Sequence, residues 1–249
     1  MIVNSHNIEF GYELIAVLPY AYWLHVNGKL EKTISGRDTE CLYYFSPNHQ
    51  EVVERRNWNN MKKLNVPNKR IHVPQLDKSQ WVPPDLKGFY MGSVGINPDL
   101  VISNKYATEW GGPPVNFIDE DTLDKILNKH KDLDFILYNR LNDPEFEDHA
   151  THHVLKDFEV CKNYKNVYTI QQLMVEHKLN YNEIQVMAYA HCNNFISVQG
   201  GTSVISSYFG GKNTIYIKRG QELGCGSYNW YKDLSGAEIK VVYKLKDLI

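Results

Sequence analysis

The sequence has no long apolar run, few cysteines and no excess of positive charge. No uncharged apolar stretch approaches the length of a membrane span, and the N-terminus lacks the basic region and apolar run of a signal peptide. The four cysteines are scattered without zinc-type spacing, so a disulfide framework is not expected. The net charge of −2 leaves no electrostatic footprint for nucleic acid. These absences predict a cytoplasmic protein with no membrane span and no nucleic-acid partner.

Motifs for metals and for common nucleotide enzymes are also missing. There is no Walker loop and no Gly-X-Ser-X-Gly elbow. Three histidines fall close together at His149, His152 and His153, but no carboxylate stands at the spacing of an HExxH motif. A solvated helix face is favoured over a metal site, and no metal or other cofactor is predicted.

What the sequence does have is length and aromatic residues. Its 249 residues suffice for one large domain or two small ones, each with an apolar core. The 17 tyrosines and 5 tryptophans bring the aromatic content to 12%. Aromatic side chains fill cores, but they also stack on sugar rings and bases, so this excess is a hint of ligand binding and no more.

Strand-like and helix-like segments alternate in the second half of the chain. Strands are predicted at residues 100–103, 135–138, 167–170, 195–199, 214–217 and 239–243, and helices at 121–130, 149–164 and 181–192. Strands separated by helices predict a parallel sheet with helices on both faces. The first half is less regular, with strands predicted at 1–3, 41–45 and 70–73, a helix at 12–24 kinked by Pro19, and a polar helix at 55–60. We place a domain boundary near residue 98.

A glycine turn after the strand at 195–199 is the strongest functional feature. Gly200 and Gly201 allow a sharp turn and a close backbone approach, and Thr202 and Ser203 can cap the helix that follows. Free helix amides at such a turn suit a phosphate. The alternative is a strand–helix corner with nothing bound.

Two further segments end at the same edge of the predicted sheet, where ligands of parallel sheets bind. Arg140 follows the strand at 135–138 and could clamp a diphosphate, or could be a surface arginine paired with Asp143 or Glu145. The loop at 104–114 brings Lys105 and Glu109, together with aromatic residues that suit a sugar or a base. The alternative for this loop is a purely structural role.

The turn after the first strand offers candidates for a general base. His6, Glu9 and Glu13 could each remove a proton from a hydroxyl. Glu13 could equally be a first-turn carboxylate that suits the helix dipole. For each residue taken singly, a structural role is favoured, although the turn as a whole is predicted to line a site.

Five short motifs together resemble a glycosyltransferase of the GT-B architecture. They are the segments at 10–14, 104–114, 138–140, 181–185 and 198–203. The sequence is similar to the fucosyltransferase-like and surface-polysaccharide glycosyltransferases of bacteria and large DNA viruses. The likeness spans most of the chain, but each motif is short, and the first domain is small for this class.

The resemblance implies an α/β fold of two Rossmann-like domains facing a cleft. Residues 1–98 would hold a glycan acceptor, bordered by Gly11 and Tyr12, and residues 99–249 would hold a nucleotide-diphosphate sugar. Donor contacts would come from the residues already named at the sheet edge and from the end of the preceding strand: Arg140, Lys105, Glu109, Gln199, Gly200, Gly201, Thr202 and Ser203.

The predicted activity is that of an inverting, metal-independent hexosyl- or pentosyltransferase, with Glu13, His6 or Glu9 as its base. Two alternatives stay open. One is an enzyme that modifies a nucleotide sugar, and the other is a non-catalytic module that binds a glycan or a nucleotide.

Overall fold

A computed structural model of the protein describes residues 1–93, 95–141 and 151–249. Its strands form two parallel sheets. The first sheet has the order β1-β2-β3, and the second has the order β6-β5-β4-β7-β8-β9. The strands are β1 Ile2–Asn4, β2 Lys32–Ser35, β3 His49–Glu51, β4 Leu100–Asn104, β5 Ile136–Arg140, β6 Val167–Thr169, β7 Asn194–Val198, β8 Lys212–Tyr216 and β9 Glu238–Val242.

Helices connect these strands. They are α1 Phe10–Tyr12, α2 Leu18–Val26, α3 Leu86–Tyr90, α4 Glu120–Lys129, α5 Asp157–Cys161, α6 Ile170–His177, α7 Tyr181–Ala190, α8 Gly201–Ser206, α9 Gln221–Cys225 and α10 Tyr228–Tyr231. Short 3₁₀ helices lie at Glu40–Tyr43, Trp58–Lys63, Lys232–Leu234 and Leu245–Leu248.

The second sheet is covered on both faces because its strands alternate between two apolar clusters. Val101, Leu137 and Phe195 belong to a cluster shared with α7, α8 and α10. Their neighbours along the strands, including Ile102 and Ile196, face a second cluster with α4 and α5. The predicted α/β class, with Rossmann-like units and a doubly wound second sheet, is confirmed.

The chain reverses its direction of winding between β4 and β7. Strands β4, β5 and β6 are added successively towards one edge, and β7 then returns to pair with β4 through Val101–Phe195, Ile102–Ile196 and Ser103–Ser197. Ligands of such sheets bind in the crevice outside the carboxyl ends of the two strands at this switch point. Lys105 and Gln199 follow those two ends directly.

The first helix continues from α1 to α2 through a π-helical turn at Glu13–Val17. Pro19 has no amide hydrogen, so the carbonyl of Ile15 loses its helical partner. The indole of Trp81 donates to that carbonyl at 2.7 Å. In the π-helical turn the amide of Leu18 donates to the carbonyl of Glu13 instead of to that of Leu14. The carbonyl of Leu14 is thereby freed and accepts from the Tyr208 hydroxyl at 2.6 Å. Two tertiary hydrogen bonds therefore satisfy the irregular turn.

Two strands predicted in the first half are wrong. Residues 41–45 overlap a 3₁₀ helix, Glu40–Tyr43, because the Glu51 carboxylate accepts the amides of Asp38, Thr39 and Glu40 and so fixes a turn there. The segment at 70–73 is irregular. The third strand of the sheet is instead β3, a polar segment without a strand-like pattern.

The helix predicted at 149–164 is also wrong over most of its length, since only Asp157–Cys161 is helical and residues 151–156 are not. His152 instead forms a β-bridge with Ala107. His149 lies outside the described residues, as do Asp143 and Glu145.

The two sheets share one apolar cluster. Leu14 and Val17 of the first helix lie in the same cluster as Ile205 and Phe209 of the second unit. The boundary near residue 98 stays a prediction. Among the helices of the described residues, none combines the length and the apolar character that a membrane crossing requires.

Candidate functional site

A cleft of about 660 Å³ lies at the switch point of the second sheet. The first half of the chain lines it with Glu9, Gly11 and Trp58. The second half contributes the ends of β4 and β7 and the beginning of α8, with Lys105, Gln199, Gly200, Gly201 and Thr202. A second cavity of about 560 Å³, beside α5 and α6, is lined by none of the predicted site residues.

Two glycines bring the halves into contact at the base of the cleft. A Cβ on Gly11 would lie 3.3 Å from both the Cα and the nitrogen of Gly201, and a Cβ on Gly201 would lie 3.1 Å from the Phe10 ring. The beginnings of α1 and α8 thus approach so closely that a Cβ on either glycine would make a tight contact. Gly200, with φ of +115°, makes the turn in a conformation that other residues rarely adopt.

Lys105 lies over this turn. Its ammonium is 3.1 Å from the position that a Cβ on Gly200 would take. It pairs with Glu109 at 3.3 Å and donates to Gln199 Oε1 at 3.3 Å. The structure therefore brings together four predicted donor contacts, with a positive charge directly beside the glycine turn.

Asn116 fixes the loop that carries Lys105. Its backbone amide and its side-chain amide donate to the Glu109 carboxylate at 2.8 and 2.7 Å, and its side chain also donates to Gln199 at 3.1 Å. Gln199 in turn donates to Glu222. Glu109 thus holds the loop and balances the charge of Lys105. This is the structural role that the sequence analysis gave as the alternative for the loop at 104–114.

The hydroxyls of Thr202 and Ser203 donate to backbone carbonyls of the turn and not into the cleft. Thr202 Oγ1 donates to the Val198 carbonyl at 2.6 Å, and Ser203 Oγ donates to the Gly200 carbonyl at 2.9 Å. Ser203 is fully buried and is not on the cleft wall. Both hydroxyls stabilise the turn itself.

Arg140 is not brought to the cleft. Only 1% of it is exposed, and its guanidinium donates from two nitrogens to the Asp157 carboxylate, with 2.6 Å between Nη2 and Oδ1. It also lies over the Phe158 ring, 4.6 Å from the centroid. The predicted diphosphate clamp is replaced by a buried ion pair, because Asp157 comes close in the fold although it is 17 residues away in sequence.

Glu13 is likewise buried in a closed network. Its carboxylate pairs with Arg56 at 2.7 Å and accepts hydrogen bonds from Ser5 at 2.6 Å and Tyr43 at 2.8 Å. Burial and the charge of Glu13 raise the pKa of Tyr43, so its hydroxyl stays a donor. Glu13 does not line the cleft, and its predicted role as base has no support in its position.

The other two candidate bases differ in position. His6 lies outside the cleft, between the side chains of Asn4 at 2.6 Å and Glu54 at 3.0 Å. Glu9 lines the cleft and caps α1, where its two oxygens accept the amides of Gly11 at 3.0 Å and Tyr12 at 2.8 Å. Each carboxylate oxygen keeps a further lone pair. Glu9 is therefore the predicted base that could meet a ligand.

Tyr12, a predicted acceptor contact, is buried behind the cleft wall and does not line the cleft. Its hydroxyl donates to the carbonyl of Lys69, and burial raises its pKa to about 12. The edge of its ring meets Trp58, with 6.1 Å between centroids. Tyr12 thus supports the wall of the cleft, whereas Gly11 borders the cleft directly.

The sequence analysis missed several cleft residues. Trp58 and His72 come from the irregular part of the first half, and Glu222 follows β8. Glu222 could have been found from its position after a strand end on the same sheet edge. Trp58 and His72 had no such signal, because no regular element precedes them. Two buried polar atoms on the cleft wall have no hydrogen-bond partner among the described residues: His72 Nδ1 and Gln185 Oε1.

No group of three or more potential metal ligands is found within residues 1–93, 95–141 and 151–249. His152 lines the cleft, while His153 contacts Thr108 at 3.0 Å.

Comparison with known proteins gives little further information. No protein-family profile matches the chain, and no curated protein matches it. A crystal structure of a glycosyl transferase family 9 protein from Veillonella parvula DSM 2008 resembles it with a TM-score of 0.39 and 11% sequence identity. The match covers 91% of this chain and 67% of that chain. At this level the similarity identifies neither a family nor a function.

Proposed function

We propose that the protein is a glycosyltransferase that moves a sugar from a nucleotide-diphosphate sugar to a hydroxyl of a glycan. The observation that carries this proposal is the crevice at the switch point. There Lys105 and Gly200 stand on one wall, and the Glu9 carboxylate stands on the wall contributed by the first half. A cation that lies over a glycine turn suits a diphosphate, and a carboxylate on the other half of the cleft suits a general base.

The donor's diphosphate would lie against the Lys105 ammonium, beside the Gly200 turn. Because Gly200 has no Cβ, a phosphate oxygen can approach the turn closely. Lys105 is paired with Glu109 and is held by Gln199, so it is already oriented before a ligand binds. In this proposal Lys105 takes the role that the sequence assigned to Arg140 and neutralises the leaving group without a metal.

The transfer is a single displacement. The acceptor hydroxyl gives its proton to the Glu9 carboxylate, and its oxygen forms the new bond to the anomeric carbon. The bond from that carbon to the diphosphate breaks, and the electron pair leaves with the nucleoside diphosphate beside Lys105. One base and no protein nucleophile are needed, so the configuration is inverted.

The first test is calorimetric titration with UDP, GDP and dTDP. At least one should bind to the wild type, and Lys105→Ala should weaken that binding about tenfold or more, as expected for a lost charge-assisted contact. Binding should persist in EDTA. If none of the three nucleotides binds to the wild type, the proposal fails.

The second test separates the base from the nucleotide site. Glu9→Gln keeps an acceptor for one of the two α1 amides but cannot take a proton, so transfer should fall by about 10²–10⁴ while nucleotide affinity is kept. Glu54→Gln is the matched control, because Glu54 is exposed and does not line the cleft. Transfer in Glu9→Gln at the wild-type rate would exclude Glu9 as the base.

A further inference from the structure

An irregular segment, residues 69–73, contributes Ile71 and His72 to the wall of the cleft, and we call it the strap. The first half holds it through Tyr12, whose hydroxyl donates to the Lys69 carbonyl. The second half holds it through Trp230, whose indole donates to the Val73 carbonyl at 3.0 Å. The strap is therefore fixed from both sides without regular secondary structure.

The strap and the 3₁₀ helix at Trp58–Lys63 present two aromatic rings to the cleft. Trp58 and His72 lie with their ring planes 26° apart and their centroids 6.2 Å apart. Trp58 is 43% exposed although it lines the cavity. Together they form an open platform next to His72 Nδ1, which is buried and has no hydrogen-bond partner among the described residues. Such an atom requires a polar partner from elsewhere.

The chain around this platform is strongly basic. Residues 55–70 contain six lysines and arginines and no aspartate or glutamate, although the whole chain has a net charge of −2. Arg56 is buried against Glu13, but Lys62, Lys63, Lys69 and Arg70 are exposed. Within the part of the chain that the structure describes, no carboxylate pairs with these four. None of the four lines the cleft itself, but Lys62 and Lys63 lie in the 3₁₀ helix that begins with Trp58, and Lys69 and Arg70 belong to the strap. Their uncompensated charge therefore attracts anions towards the platform.

We propose that the platform and its basic border bind an anionic saccharide, with a phosphate or a carboxylate on the sugar, as the acceptor. Trp58 covers the apolar face of the ring, and His72 Nδ1 hydrogen-bonds one of its hydroxyls. Lys62, Lys63, Lys69 and Arg70 attract the anionic group. This inference rests on the proposed function, because it names the acceptor for that same cleft.

Saturation-transfer NMR with three probes tests the chemistry. The probes are methyl glucoside, glucuronic acid and glucose 6-phosphate. Inorganic phosphate is the sugar-free control, and because it has no carbon-bound proton its binding is followed by its displacement of glucose 6-phosphate. At low salt both anionic sugars should bind at least about threefold more tightly than methyl glucoside, the range expected for one or two exposed charge contacts. That preference should disappear at about 0.5 M salt, where the Debye length is only a few ångströms. The two anionic probes separate a phosphate from a carboxylate.

Variants assign the effect to residues. Trp58→Ala should weaken binding of all three sugars but not of phosphate, whereas the double variant Lys62→Glu, Lys63→Glu should remove only the preference for the anionic sugars. Lys244→Glu, Lys246→Glu is the matched control, since those lysines are exposed and belong to the 3₁₀ helix at Leu245–Leu248 and its N-cap, which packs against α4 and β9 and not against the strap. Near-UV circular dichroism confirms that each variant is folded.

The possible outcomes distinguish this inference from the proposed function. Equal affinity for neutral and anionic sugars overturns the inference, and so does an unchanged affinity in Trp58→Ala. Phosphate that binds as well as the sugar phosphate, or a short RNA that binds more tightly and competes, also overturns it. If a nucleoside diphosphate binds but no probe sugar does, only the inference fails. If anionic sugars bind but no nucleotide does, the site binds glycans and the transferase proposal fails.

Discussion

Replacing Arg140 with alanine separates a structural role of this arginine from a role in ligand binding. In the structure its guanidinium is fully buried against Asp157, which also accepts the Tyr138 hydroxyl at 2.5 Å and the Phe158 amide at 3.0 Å. The truncation leaves the Asp157 carboxylate without its cation in an apolar environment. It removes no contact from the cleft, because Arg140 does not line it.

The expected loss in the free energy of unfolding depends on how well the remaining Asp157 carboxylate is still stabilised. Removing one partner of a buried ion pair typically destabilises a protein by about 3–5 kcal/mol. The two hydrogen bonds that Asp157 keeps place the effect towards the lower end, at about 3 kcal/mol. Since domains unfold at about 5–15 kcal/mol, this is a large part of the total. Urea denaturation followed by tryptophan fluorescence should show it as a lower midpoint.

Two controls make the result decisive. Arg219→Ala removes an exposed arginine that lies over the Trp110 ring, and it should cost less than about 0.5 kcal/mol. The double variant Arg140→Met, Asp157→Leu removes both charges and should recover most of the stability. If Arg140→Ala unfolds like the wild type but no longer binds nucleotide, Arg140 is a ligand contact and the structural interpretation is refuted.

Two further substitutions test the turn and a buried histidine. Gly200→Ala should lower stability by about 1–3 kcal/mol and also weaken nucleotide binding, because its Cβ would stand 3.1 Å from the Lys105 ammonium. Gly28→Ala is the control: Gly28 has a φ of +67° but no atom within 4 Å of its Cβ position, so this variant should lower stability alone. Burial lowers the pKa of His49 in the folded protein below that in the unfolded chain, which is about 6.5. As the pH falls below about 6.5, the unfolded chain therefore takes up a proton before the folded protein does. The stability that His49 contributes is complete above that pH and is lost as the pH falls further. His49→Gln should show a smaller drop in urea midpoint between about pH 7.5 and pH 5.5 than the wild type, and an equal drop would contradict this assignment.

The second sheet could be predicted because its signals are local. Each strand there is a short apolar run, and each is followed by a helix or a glycine turn, so the alternation and the shared carboxyl edge follow from the sequence. The positions of Lys105 and Gly200 on that edge follow as well. Topology alone therefore predicted that Lys105 and Gly200 lie together at that edge, although the strand order that makes the switch point became visible only in the structure.

The failures have one physical cause, which is that partners distant in sequence decide what a polar side chain does. Arg140 stands at the expected strand end, but Asp157 takes its charge. Glu13 stands in the expected turn, but Arg56 and Tyr43 enclose it. The strand predicted at 41–45 gives way to a helical turn because the Glu51 carboxylate gathers three amides there. None of these pairs has a spacing or a motif that a sequence pattern could show.

The contact between Gly11 and Gly201 limits where the chemistry can occur. A Cβ on Gly11 would already be in tight contact at 3.3 Å from Gly201, so no sugar ring fits between the beginnings of α1 and α8. A ligand must therefore lie above this contact, where Glu9 caps α1 on one side and Lys105 covers the turn on the other. In the proposed function, the Glu9 carboxylate as base and the Lys105 ammonium as cation suit a displacement in which a proton leaves one side and a negative charge develops on the other. Glu13 is buried, already paired with Arg56, and does not line the cleft.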